Sequence, residues 1–153
     1  MNAPEAAPRL GDHPFLRGLD PGLIGLIDDG AVRRRFPTDA RLAREGAPAT
    51  EFYLIESGKV ALEIEAPARA PLTLQTLGPG DLLGWSWLFP AAPWRFDARA
   101  LKPTVAWEVN AARVRDALDD LPAEGYRFLL RMIPVVSSRL EHARLQLLDV
   151  YGP

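Results

Sequence analysis

Gly84-Trp85-Ser86-Trp87 and, a little further on, Trp94-Arg95-Phe96 gather the side chains of this chain best suited to hold a small molecule. Three of the four tryptophans fall within the ten residues 85–94. Aromatic faces stack on flat heterocycles, a contact worth about 1–3 kcal/mol per base. An indole donates one hydrogen bond and accepts none. A guanidinium such as that of Arg95 grips phosphate or carboxylate oxygens as a fork. The chemistry on offer is recognition rather than bond making.

Catalytic groups are sparse. The two histidines, His13 and His142, are remote in sequence from the aromatic stretch. No nucleophile-elbow, Walker or zinc-ligand spacing occurs, so neither an enzyme nor a metal site is expected. With no cysteine, disulfides, iron–sulfur clusters and thiol catalysis are excluded.

The remaining residues must build the scaffold. At 153 residues, 48% of them hydrophobic, the chain suits one folded domain. A net charge of −2 lacks the basic footprint of a nucleic-acid binder, and Arg33-Arg34-Arg35 reads as a solvated strand face. No signal peptide and no uncharged apolar run of membrane-spanning length is visible. A cytoplasmic protein without membrane or direct nucleic-acid partners is expected.

Residues 1–12, rich in Ala and Pro, read as a flexible N-terminal tail. Asp20-Pro21 should start a short helix, and Gly30 should end it in a left-handed cap. Eight short strands are then predicted at Val32–Phe36, Ala40–Arg44, Phe52–Glu56, Val60–Ile64, Leu72–Leu77, Leu82–Trp85, Phe96–Leu101 and Val105–Val109. Such spacing suits a sandwich, jelly roll or barrel. Asn110 should cap a helix over Ala111–Asp120, and Ala123–Val150 should form a longer one.

On that long helix Leu129, Ile133, Val136, Leu140, Ala143, Leu147 and Val150 recur with heptad spacing. The reading is a homodimer seam. Leu130, Met132, Val135, Leu145 and Leu148 lie off the seam, available to pack on the strands. Pro134 should kink the helix or break its ladder. Three segments follow: a tail, 1–12; a β-roll sensory domain, 13–122; and a dimerisation helix, 123–150.

Four motifs now stand in order: Phe15-Leu16-Arg17-Gly18-Leu19, Arg44-Glu45-Gly46-Ala47-Pro48-Ala49, Phe52-Tyr53-Leu54-Ile55-Glu56-Ser57-Gly58-Lys59-Val60 and Leu77-Gly78-Pro79-Gly80-Asp81-Leu82-Leu83-Gly84. Together they resemble the cyclic-nucleotide-binding domain of the catabolite-activator (Crp/Fnr) type. The resemblance implies a mainly β fold with flanking helices: a cupin-like double-stranded β-helix, or jelly-roll β-roll, plus a long C-terminal helix. It implies ligand binding in regulation and signal transduction, with cyclic AMP or cyclic GMP as the ligand.

It also implies a phosphate-binding cassette from Gly84 onward, where backbone must approach ligand closely. In the family a glutamate follows that glycine and accepts from the ribose 2′-hydroxyl. An arginine about ten positions on pairs with the cyclic phosphate and precedes a small residue. Here Trp85 stands at the glutamate position. Counting forward places Arg95 at the arginine; counting back from the next strand places Trp94 there. Phe96-Asp97 replace the small residues, and a carboxylate at that point would repel an anion. On the closing helix, Arg144 or Ala143 falls where the family reaches the base.

The candidate ligand-binding set is therefore Gly84, Trp85, Ser86, Trp87, Trp94, Arg95, Phe96 and Arg144. Losing a hydrogen bond to a charged group costs about 1.5–3 kcal/mol, or roughly ten- to hundredfold in affinity. Cyclic-nucleotide affinity is thus expected to be altered or lost. Another small heterocyclic ligand is one alternative. A pseudo-sensor is the other: an aromatic-filled pocket on a module that contacts a protein partner. The helix-turn-helix that follows in the family's transcription factors is not in this sequence, so a stand-alone module is expected.

Overall fold

A 3₁₀ turn at Leu10–Asp12 leads into the roll in the computed structural model, which describes residues 8–151. Leu10 is only 2% exposed. The chain therefore joins the core before the tail read as residues 1–12 would end; residues 1–7 of that tail lie outside the described ones. Helix α1, Pro21–Asp28, begins as its residues dictate: the Asp20 carboxylate accepts from the Leu23 N–H at 3.1 Å, with proline next in line. Its end differs from expectation. Asp29 stays right-handed and Gly30 takes no positive φ. Gly30 answers a packing need instead, since a Cβ there would lie 2.8 Å from Cδ of Arg113.

Six strands follow among the described residues: β1 Ala31–Phe36, β2 Arg41–Ala43, β3 Glu51–Ile64, β4 Leu72–Leu77, β5 Leu82–Leu83 and β6 Asp97–Asn110. All pair antiparallel, in the order β1-β6-β3-β4, with β2 added on β6 and β5 on β3. Six replace the predicted eight because two expected turns are bends inside long strands. At Ser57-Gly58 the pairing of β3 with β6 shifts register without breaking. Gly58 has φ 103°, and a Cβ on it would sit 2.6 Å from the Cα of Thr104. Glycine thus lets the bulged strand lie against its neighbour and curl the sheet into a roll. Thr104, buried opposite, donates its hydroxyl to Lys102 O at 2.8 Å.

Helix α2, Ala111–Asp120, is capped by Asn110, which accepts from the Arg113 N–H at 3.1 Å. Helix α3, Pro122–Tyr151, then runs along the roll and stays helical through Pro134, so the expected break does not occur. Phe128 and Met132 are buried, and Val135 packs on the core. Leu130, Leu145 and Leu148 are exposed rather than packed on the strands as expected. Leu129, Ile133, Leu140 and Leu147 are exposed too, while Val136 and Ala143 are half-buried. The side chain of Val150, last on the seam, lies outside the described ones. Among the described residues no helix is long and apolar enough to cross a membrane.

Candidate functional site

The cassette starts from a tight turn. The Gly78 N–H donates to the Asp81 carboxylate at 2.8 Å, and the Gly80 N–H donates to Ile55 O at 2.9 Å. β5 then pairs with Tyr53 and Leu54, which aims Gly84 across the roll. Gly84 has φ 106°, and a Cβ there would lie 2.7 Å from the Trp94 ring. A close approach that requires glycine is therefore made to Trp94.

Trp94 itself is 3% exposed. Its N–H donates to Ala47 O at 2.8 Å, its carbonyl accepts from Gly46 at 2.9 Å, and its ring packs on Tyr53 and edge-on to Phe96. Trp87 is fully buried in a 3₁₀ turn, Ser86–Leu88. It stacks on Phe52 with ring centres 4.2 Å apart and meets Phe128 edge-on at 5.9 Å. Its indole N–H donates to Gly84 O at 3.0 Å, and its carbonyl accepts from Arg115 of α2 at 2.6 Å. Ser86 is buried beside it. Trp87 and Trp94, expected at the ligand, hold the cassette to the core instead.

Between β4, the cassette and α3 opens a cleft of ≈ 330 Å³. Its apolar walls are Leu74, Trp85, Phe96, Val136, Leu140 and Ala143; its polar ones are Gln75, Arg95 and Arg139. Of the expected set the cleft thus gathers Trp85, Arg95 and Phe96, and it leaves out Gly84, Ser86, Trp87, Trp94 and Arg144. Arg144 points outward and pairs with Glu141 at 3.3 Å, while Ala143 lines the cleft. Asp97 does not face the cleft as a free anion. Its carboxylate accepts from the Glu45 N–H at 2.7 Å and from Arg41 at 3.1 Å.

Arg139 is the residue that sequence reasoning missed. One of its terminal nitrogens donates to Gln75 Oε1 at 2.9 Å and the other to Leu82 O at 2.7 Å. Its Nε is buried without a partner among the described residues. Burial pushes its pKa down to about 10, partly offset by the charge of Asp81. Gln75 in turn donates to the Ser138 hydroxyl at 3.1 Å, tying β4 to α3. Arg139 lies one helical turn before Ala143, so the (i, i+4) rule would have found it once Ala143 was chosen over Arg144.

In the opening turn, His13 is buried. Its Nε2 lies 2.8 Å from Ile55 O, and its Nδ1 accepts from the Phe15 N–H at 3.2 Å. Burial holds its pKa below the ordinary value. Both nitrogens are engaged, so His13 clasps the opening turn to β3 and takes no part in the cleft.

The curled sheet, the cassette beneath it and the helix closing the cleft have counterparts in known proteins. Residues 33–120 match the family described as "Cyclic nucleotide-binding domain". The chain belongs to the cyclic nucleotide-binding domain family. Within it, the chain is similar to the "CRP-like cAMP-activated global transcriptional regulator" of Mycobacterium tuberculosis, 28% identical over 137 residues and 89% of this chain. It spans 59% of that regulator's length. Among solved structures it is similar to the Thermus thermophilus catabolite activator protein: 26% identity, TM-score 0.68, 88% of this chain and 61% of that one. It is also similar to the c-di-GMP responsive global regulator CLP of Xanthomonas campestris: 26% identity, TM-score 0.73, 88% of this chain and 66% of that one. The Crp/Fnr-type resemblance and the helix-flanked β-roll are thereby borne out. These three relatives are described as regulators, an activator among them, and not as enzymes.

Proposed function

We propose that this cyclic-nucleotide-type domain is a regulatory module. A small ligand enters the cleft between β4, the cassette and α3, and affinity for cyclic AMP and cyclic GMP is reduced. One observation carries the reading: Trp85 lines the cleft at the position where the family's glutamate would accept the ribose hydroxyl, and no carboxylate among the described residues lines it. An indole cannot make that bond. The cleft's ≈ 330 Å³ falls within the range of about 300–1,000 Å³ usual for small-molecule sites. One similar regulator is named for cyclic AMP and another for c-di-GMP, which fits a roll that tolerates changes of ligand.

The exposed seam on α3 supports a homodimer as the working form. A second reading draws on the burial of Trp87 and Trp94: the cassette is packed by its own rings, and the module acts through a protein partner alone.

Isothermal titration calorimetry with cyclic AMP and cyclic GMP separates the two. The ligand-binding reading expects weak binding that Arg95→Ala weakens further. No heat with either nucleotide, in a chain that also binds no other small molecule, favours the second.

A further inference from the structure

The two cations of the cleft stand in unusual company. Arg95 has no hydrogen-bond or ion-pair partner among the described residues, and it lines an otherwise apolar wall. Arg139 is held by a side-chain amide and a backbone carbonyl, both neutral, and its Nε has no partner. A buried cation without a direct ion pair is costly, and an orphaned buried donor calls for an explanation. Of the nearby carboxylates, Asp97 is occupied by Arg41 and the Glu45 N–H, and Asp81, which accepts from the Gly78 N–H, acts on Arg139 through its charge without pairing with it. Two guanidiniums facing a cleft with low-dielectric walls attract an anion strongly.

Hydroxyls are poorly served at the same place. Gln75, the only uncharged polar residue in the lining, has its oxygen on Arg139 and its amide nitrogen on Ser138. A ribose hydroxyl would enter with no carboxylate to accept it, at a penalty of roughly tenfold or more in affinity. The volume lies near the lower end for ligand sites, room for one or two rings.

We infer that the cleft takes an organic monoanion with an apolar, ring-sized body, an arylalkyl carboxylate, in preference to a nucleotide. The body lies between Trp85, Phe96 and the α3 side chains Val136 and Leu140. The carboxylate meets Arg95 at the mouth and draws on the field of Arg139 beneath. The inference rests on the reading that the cleft is the ligand site.

Paired probes test it: indole-3-acetate against indole-3-acetamide, and phenylacetate against phenylacetamide, with cyclic AMP as a third arm. Each acid shares its shape with its amide, so the affinity ratio isolates the charge. Each acid is expected to bind at least tenfold tighter than its amide and tighter than cyclic AMP. In Arg95→Ala, an exposed position whose loss leaves the core intact, that ratio falls toward one. Arg139→Met should lower it too; should that variant unfold, Arg95→Ala alone decides. Equal binding of acid and amide, or cyclic AMP binding more tightly than the acids, overturns the inference and leaves the cleft a ligand site. Heat from none of the probes overturns both.

Discussion

Trp85 and Trp87 stand two residues apart, yet the turn between them leaves one indole on the wall of the cleft and sends the other between Phe52 and Phe128. Their substitutions should therefore separate. Trp87→Ala removes a fully buried ring and is expected to cost about 3–5 kcal/mol of stability, read by urea unfolding. Trp85→Ala should cost less than half as much and act on ligand affinity instead. Equal losses from the two would contradict these assignments. An aromatic cassette was legible in the residues. Which ring faces inward was not, because that depends on the 3₁₀ turn at Ser86–Leu88 and on the empty Cβ position of Gly84. Arg139 escaped for a related reason. A lone arginine on an amphipathic helix reads as solvated until the roll is seen to cover it.

Among the elements, α2 and α3 were legible almost to the residue, since caps and heptad spacing are local. The strand count was not. Gly58 reads as a turn residue, and only the backbone of Thr104 opposite shows that it serves a bend inside a paired strand. The opening turn holds a further consequence for pH. His13 is neutral in the fold because burial depresses its pKa below 6.5, outweighing the Ile55 hydrogen bond and the charges of Asp81 and Glu56. The unfolded chain binds the proton more readily, so this contribution to stability is full above the unfolded value and falls as pH drops below it. The thermal midpoint should decrease from about pH 7.5 to about pH 5.5, and less so in His13→Gln, which cannot titrate. An unchanged pH slope in the variant would show that His13 is not the group responsible.

For the whole molecule, α3 presents two apolar faces, one buried and one exposed. Phe128 and Met132 hold it to the roll, while Ile133, Leu140 and Leu147 are 63%, 70% and 59% exposed. Such an apolar stripe fits the proposed homodimer seam. Light scattering on the 16.9 kDa chain should give about twice that mass, and Ile133→Asp, which lies off the cleft, should give a monomer. A monomer without the substitution would remove the homodimer from the account. Val136, Leu140 and Ala143 belong both to the seam and to the cleft, so an occupied cleft and a seated partner would share side chains.

Trp85 is proposed to turn a nucleotide cleft toward another ligand. Calorimetry of cyclic AMP with the unmodified chain and with Trp85→Glu tests it most directly. The account predicts that the restored carboxylate tightens binding about ten- to hundredfold, the worth of one charge-assisted hydrogen bond. Tight binding of cyclic AMP to the unmodified chain, with no gain in Trp85→Glu, would contradict it.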